Sequence, residues 1–410
     1  MTHVLHLLGP WRALSVMVAA MALAVGCGGG ADSGVGTGGT GSPQSFSQGP
    51  ISGFGSIIVN GVHFDDSGAS VVDDDDNTLS HAQDLRLGTV VDIQGGAVTD
   101  NAASASMIRV HVDLVGPVTS AYDAGTGRLA VLGQPVRVVS ITALDGFAGG
   151  AAAITPGTTV RVSSLYDKAT GVYVATRIDP APAATRFAIR GAPSAIDTAA
   201  DTFTIGGVAF SYGNVAPPAS FAVGSLLRAV LAPTQDNHGR WVVTTFGQAQ
   251  AALPNGRRGG LDGVVSSATD ATHFVVDGVT VDASKATIAP AGATIGVQSR
   301  VVVQGTVTNG VLIASTVRVH AADDNDNGHG GGNGGNGGGS DFVEITGQVM
   351  SLDTAHQTFT MRGPTTVSYA SATFAGGGNA GSLAVGRIVE MSGNLSADGT
   401  YVIASQIKFH

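Results

Sequence analysis

Ala105-Ser106-Met107-Ile108-Arg109-Val110-His111 returns as Ala314-Ser315-Thr316-Val317-Arg318-Val319-His320, and again as Ala404-Ser405-Gln406-Ile407-Lys408-Phe409-His410. The alternation is that of a half-buried strand. Ile108 and Val110 point one way, while Met107, Arg109 and His111 point the other. A weaker copy, Ala-Thr-Arg-Ile-Asp, occupies residues 175 to 179. One strand that closes successive units makes the chain an array of small β-domains.

Working back from each closing strand locates the rest of a unit. Asn60-Gly61 lies between Ile57-Ile58-Val59 and Val62-His63-Phe64, and Asn-Gly favours a two-residue hairpin because both residues tolerate positive φ. Gly206-Gly207 and Asp277-Gly278 stand in the same place in later units. About 30 residues further on, Leu87-Gly-Thr-Val-Val-Asp-Ile-Gln-Gly95 is echoed by Val385-Gly-Arg-Ile-Val-Glu-Met-Ser-Gly393. Versions at 156–162 and 223–230 are looser, and in the one beginning at Val297 the first glycine has become Gln298.

These landmarks divide the chain into β-repeats at 50–112, 113–181, 186–250, 258–320 and 342–410, with a linker at 321–341. Each offers about five strands. Short strands without paired cysteines do best closed into a barrel, which removes free edges. The expected fold is therefore all-β, as tandem small five-stranded barrels of OB-like or Greek-key type, with a β-sandwich as the alternative. Unit two, with few aromatics and the Ala148–Ala153 stretch, reads as the least regular. The linker is expected to hinge unit five away from the rest.

The stretch Gly53-Phe-Gly-Ser-Ile-Ile-Val-Asn-Gly-Val-His-Phe64, with the Ala-Ser closing strand, resembles the bacterial family known as domain of unknown function 5666. The resemblance is read over 50–410, most clearly in units one, four and five. It implies β-domains of the cell envelope and supplies no activity or site residues.

At the start, Arg12 precedes an apolar run from Ala13 to Val25 and then Gly26-Cys27. This predicts a secretory signal peptide over 1–26, too short for a membrane span. Leu23-Ala24-Val25-Gly26-Cys27 resembles a bacterial lipobox, with Ala24 where Leu is commonest, and that resemblance implies lipid attachment at Cys27. Residues 27–49 then read as a lipidated cysteine and a Gly/Ser-rich tether. Gly28 in place of a retention Asp favours the outer membrane. Cys27 is the only cysteine, so no internal disulfide framework follows. Gly36-Thr-Gly-Gly-Thr-Gly41 matches a dinucleotide-loop pattern in form, but no strand precedes it and no helix follows.

Twenty basic against thirty acidic residues leave a net charge of −10, which argues against a nucleic-acid surface. Charged residues make up 12% of the chain and glycines number 61 of 410, a composition of short strands and tight turns.

The recurrent His111, His320 and His410 read as surface residues of the repeat, and His63 and His273 lack partners at zinc spacing. Asp73 to Asp76 form an acidic run that needs solvent or a hard cation. Asp323, Asn325 and Asn327 with Gly328 fit the first half of a calcium loop, but Gly334 stands where the bidentate Glu belongs. They are weak calcium candidates in a linker, and no other cofactor is expected. Asp65 and Asp66 read as turn residues. Phe54, Phe203 and Phe359 lie in apolar strands and read as core. No G-x-S-x-G elbow, Walker loop or H-E-x-x-H occurs, so no catalytic residues and no enzymatic activity are expected. The expected function is a lipid-anchored envelope protein that binds or spaces an envelope protein or glycan. A calcium-dependent adhesion module and an OB-type oligosaccharide binder are the alternatives.

Overall fold

The computed structural model describes residues 45–81, 83–249, 253–320 and 342–410. These residues form strands joined by turns and two short 3-10 helices, Gly150–Ala153 and Ala380–Ser382.

Barrel one shows the plan. Its strands run Ser45–Phe54, Ile57–Val59, Val62–Asp65, Val90–Gly95 and Ala102–His111, with a short extra strand Ser70–Asp73. The first pairs the second and the fourth, the second pairs the third, and the fourth pairs the fifth. The third runs parallel to the fifth and closes the ring. Barrel four, from Arg258–Ala268 to Val311–Val319, repeats this circular order. Barrel two, from Leu114–Asp123 to Val172–Pro180, closes with five strands and no extra one. The sequence marks this unit as the least regular, and its ladders shift register between the first and second, the third and fifth, and the fourth and fifth strands. Barrels three and five follow the same order, with the first strand broken by a short bend. The order first-second-third-fifth-fourth, closed on itself, is that of an OB-type barrel and not of two packed sheets.

The Ala-Ser signature has a local cause. Gly95 pairs with Ala105 and Gln94 with Met107, so Ser106 is an extra, bulged residue. Ser315, Ser405 and, in barrel two, Thr176 are bulged in the same way. The Ser106 hydroxyl donates to the Gln94 carbonyl at 3.0 Å, Ser315 to Gln304 at 3.0 Å and Thr176 to Ser163 at 3.1 Å. Thr244, bulged in barrel three, donates to Val230 at 3.2 Å. A bulge bends and twists the strand, which a small barrel needs to close, and the hydroxyl satisfies a carbonyl that the disrupted ladder leaves over. In barrels one, four and five the facing residue is glycine, and a Cβ on Gly305 or Gly393 would lie 2.1 Å from a carbonyl oxygen of the bulged strand; in barrels two and three Ser164 and Leu231 stand there.

The hairpins take the conformations that their residues favour. Asn60 and Gly61 have φ of 55° and 74°, and Asp277 and Gly278 have 45° and 79°. Barrel two makes the same turn with Leu132 and Gly133, at 55° and 78°, although leucine is costly there.

The barrels pack together instead of hanging in a row. The first strand of barrel one runs parallel to that of barrel four through Ser45↔Arg258 to Gln48↔Leu261. Further along, Gly53 and Phe54 pair with Glu344 and Ile345 of barrel five. A Cβ on Gly53 would lie 2.0 Å from the Glu344 carbonyl oxygen, so only glycine permits this approach. Barrels one and five share one hydrophobic core, in which Phe54, Phe64, Phe359 and Met391 are buried together. The expected hinge is therefore not seen, because barrel five is seated on barrel one through both backbone pairing and apolar contact. Barrels two and three share a second core around Tyr173, Phe203 and Phe210. Phe54, Phe203 and Phe359 are all core residues.

Candidate functional site

The barrels meet around buried charges. His111 is 4% exposed, with Nδ1 2.6 Å from Asp74 Oδ1 and Nε2 2.9 Å from Asp92 Oδ2. The alternation along its strand would put His111 on the solvent side, but barrel two follows directly and its Ser163 hydroxyl donates to the His111 carbonyl at 3.0 Å. The surface reading is thus corrected for His111. His320 is half-buried, and His410 is exposed with Nε2 2.9 Å from Glu390. Burial alone would push the His111 pKa down, but the Asp92 and Asp74 carboxylates outweigh it and raise the value to about 10. The Asp74 carboxyl, despite burial, is held below the usual range by His111 and Arg228.

The acidic run is neutralised from within the chain. Asp75 accepts two bonds from Arg228 of barrel three, at 2.6 and 3.2 Å. Asp76 pairs with Arg109 at 2.7 Å. Asp73 accepts from the backbone N–H groups of Asp75 and Asn77 at 2.8 and 2.9 Å. These partners occupy the carboxylates that the sequence left for solvent or a cation. Among the described residues no group of three or more His, Cys, Asp or Glu could hold a metal ion. Asp323, Asn325 and Asn327, like Cys27, lie outside the described residues.

A second cluster joins barrels two, three and four. Arg190 reaches Asp113 at 3.2 Å, Asp277 of the barrel-four hairpin at 3.1 Å, and the Ala249 carbonyl at 2.7 Å. Asp113 also accepts from the Ser164 hydroxyl at 2.5 Å. Burial raises the Asp113 pKa, and the Arg190 guanidinium and Ser164 offset only part of that. The Arg190 guanidinium itself is held more firmly protonated: Asp277 and Asp113 outweigh its burial. Asp66, read in the sequence as a turn residue, is buried and pairs with Arg362 of barrel five.

Beside the first cluster a cleft of about 930 Å³ opens between barrels one, two and three, walled by residues 180–188 of the connection. Its lining mixes carboxylates with Arg86, Arg161, Arg186 and Arg228. Nε of Arg86 is buried there without a hydrogen-bond partner, while Nε of Arg228 lies 3.5 Å from the Asp74 carboxylate. Nothing in the sequence announced the cleft, because its walls come from three units and a connecting segment.

Fold and junctions define a class of protein: an all-β array of closed five-stranded barrels locked by ion pairs. Residues 115–179, 262–318 and 346–408 match the family model described as domain of unknown function (DUF5666). The chain carries DUF5666 domains in tandem, in barrels two, four and five. The sequence resemblance placed barrel one, not barrel two, among the clearest copies. Barrels one and three lie outside the matched segments but repeat the same strand order. No curated protein matches the chain.

Proposed function

We propose that this is a non-catalytic binding module of the cell envelope, anchored through a lipid on Cys27, that presents the interbarrel cleft to an acceptor-rich envelope ligand. The observation that carries the binding reading is the arginine lining of the cleft, Arg86, Arg161, Arg186 and Arg228, with Nε of Arg86 buried without a hydrogen-bond partner. Buried donors left unmade are costly, and a ligand oxygen would relieve that cost. The rigid packing of five barrels supports a preformed site. A glycan rich in hydroxyl and carboxylate oxygens is the favoured ligand class. It would bind by hydrogen bonds more than by ring stacking, since Tyr401 is the one exposed aromatic side chain among the described residues.

Titration calorimetry with neutral and uronic-acid oligosaccharides tests the binding reading. The native chain is expected to bind, and Arg86→Lys, which keeps the charge but removes Nε, to bind about tenfold more weakly, the scale of one charged hydrogen bond. Absence of binding by the native chain contradicts it. For the anchor, palmitate labelling in cells should mark the native chain and not Cys27→Ala. Equal labelling of both contradicts lipid attachment at that residue. The calcium-dependent alternative gains nothing from Asp73 to Asp76, whose side chains are engaged by Arg109, Arg228, His111 and backbone N–H groups.

A further inference from the structure

The five barrels are one design in five surroundings, so a position buried in one and exposed in another shows what a barrel surface is shaped to meet. In barrel one the corner Leu87-Gly88-Thr89-Val90 is buried throughout. It sits on the bulged strand of barrel two. A Cβ on Gly88 would lie 2.2 Å from the Thr176 carbonyl oxygen, and the Leu87 carbonyl accepts from Arg177 at 3.0 Å. Val90 packs in one apolar cluster with Leu165 and Val174 of barrel two and Val264 of barrel four. The joint therefore has two halves: the corner, and the residue just before the bulge alanine, Val174.

Barrel five carries both halves uncovered. Its corner, Val385-Gly386-Arg387-Ile388, is exposed throughout, with Val385 66% and Ile388 46% exposed. Met350 lies beside it, since the preceding Val349 exchanges backbone bonds with Gly386 and Arg387. At the Val174 position stands Ile403, 38% exposed. The exposed large hydrophobic residues of the described chain follow the same rule. Val223, Val297 and Val385 occupy the Leu87 place, Ile388 the Val90 place, and Ile313 and Ile403 the Val174 place, while Met350 and Tyr401 flank them. Scattered exposed apolar residues need no explanation, but side chains confined to the two halves of one joint do.

We propose that barrel five pairs with barrel five of a second copy of this chain, the Ile388 corner of each seating on the Ile403 face of the other. Ile403 pairs with Asn394, six residues along the strand from Ile388, so the two halves lie about 20 Å apart on one two-stranded ribbon. A twofold axis across that ribbon brings corner to face at both ends, as an isologous contact requires. Between them the ribbon carries Glu390 with Lys408 and His410, so charges of both signs meet at the axis. The occupant is a second copy because the chain itself shows what covers this corner: a barrel of the same design.

The test uses the full chain in a Cys27→Ala background. Ile388→Cys combined with Ile403→Cys is expected to give a disulfide-linked dimer under mild oxidation. Each single-cysteine variant should stay monomeric, and adding Val385→Asp should abolish the dimer. The spacing of the two cysteines forbids a bond within one chain. Thermal melts matching the native chain establish that these surface variants fold. The proposal is overturned if the double variant stays monomeric while folded. It is also overturned if Ile388→Cys alone links as readily, which means corner meets corner, or if Ile388→Cys captures only a different protein.

Discussion

Nδ1 of His111 lies 2.6 Å from Asp74, and its Nε2 2.9 Å from Asp92, so one imidazole buried at a barrel junction sits between two carboxylates. In barrel five the equivalent pair, His410 and Glu390, is 2.9 Å apart and open to solvent. The pair belongs to the repeat. Its burial belongs to what docks on it.

The His111 pair sets a pH window. The folded-state pKa of about 10 lies above the ordinary 6.5, so its contribution is full below pH 6.5 and is lost as pH rises through about 10. The lowered Asp74 acts oppositely: its contribution is present above the ordinary 3.8 and is lost as pH falls. Thermal melts should weaken between pH 7 and 10. Nitrogen-15 NMR should show His111 as imidazolium at pH 8, and a neutral ring at that pH contradicts the assignment.

Arg190 compensates Asp113 and Asp277 in the interior. Arg190→Met leaves the Asp113 carboxylate buried without its cation and should destabilise by about 3–5 kcal/mol. Urea unfolding measures it, and a loss below about 1 kcal/mol means that the cluster is not closed in solution.

The bulge hydroxyl can be removed with little change of shape. Thr176→Val deletes the bond to the Ser163 carbonyl and should cost about 1 kcal/mol of stability. An unchanged denaturation midpoint would show that the hydroxyl is incidental to the bulge.

Gln298 adopts φ of 74°, where the matching positions carry Gly88 at 77° and Gly386 at 85°. Gln298→Gly relieves the left-handed strain at some cost in chain entropy. It should raise stability by about 0.5–1 kcal/mol. A lower melting temperature contradicts that balance.

The parts written in local residue order were legible in the sequence. Asn60-Gly61 and Asp277-Gly278 announce hairpins because positive φ is a property of those residues, and the Ala-Ser strand announces a repeat. Leu132-Gly133 makes the same turn without a signal, since leucine carries no preference for it. The bulge was invisible as such, because it depends on the register between two paired strands. The junction was the least legible. His111 reads as an outward residue by alternation, and its burial rests on Asp74 and on contacts such as that with Ser163, 52 residues along the chain. The cleft is likewise a product of packing between units.

The barrels form one body, tied by ion pairs that cross between them. The most direct test of this is a double-mutant cycle between Arg228 of barrel three and Asp75 of barrel one, 153 residues apart in sequence and joined at 2.6 and 3.2 Å. Urea unfolding of the native full chain, Arg228→Gln, Asp75→Asn and the double variant gives the coupling. A coupling of about 1 kcal/mol or more is the predicted result for a paired, partly buried contact. Additivity within about 0.3–0.5 kcal/mol would mean that barrels one and three do not touch there, and would contradict the account.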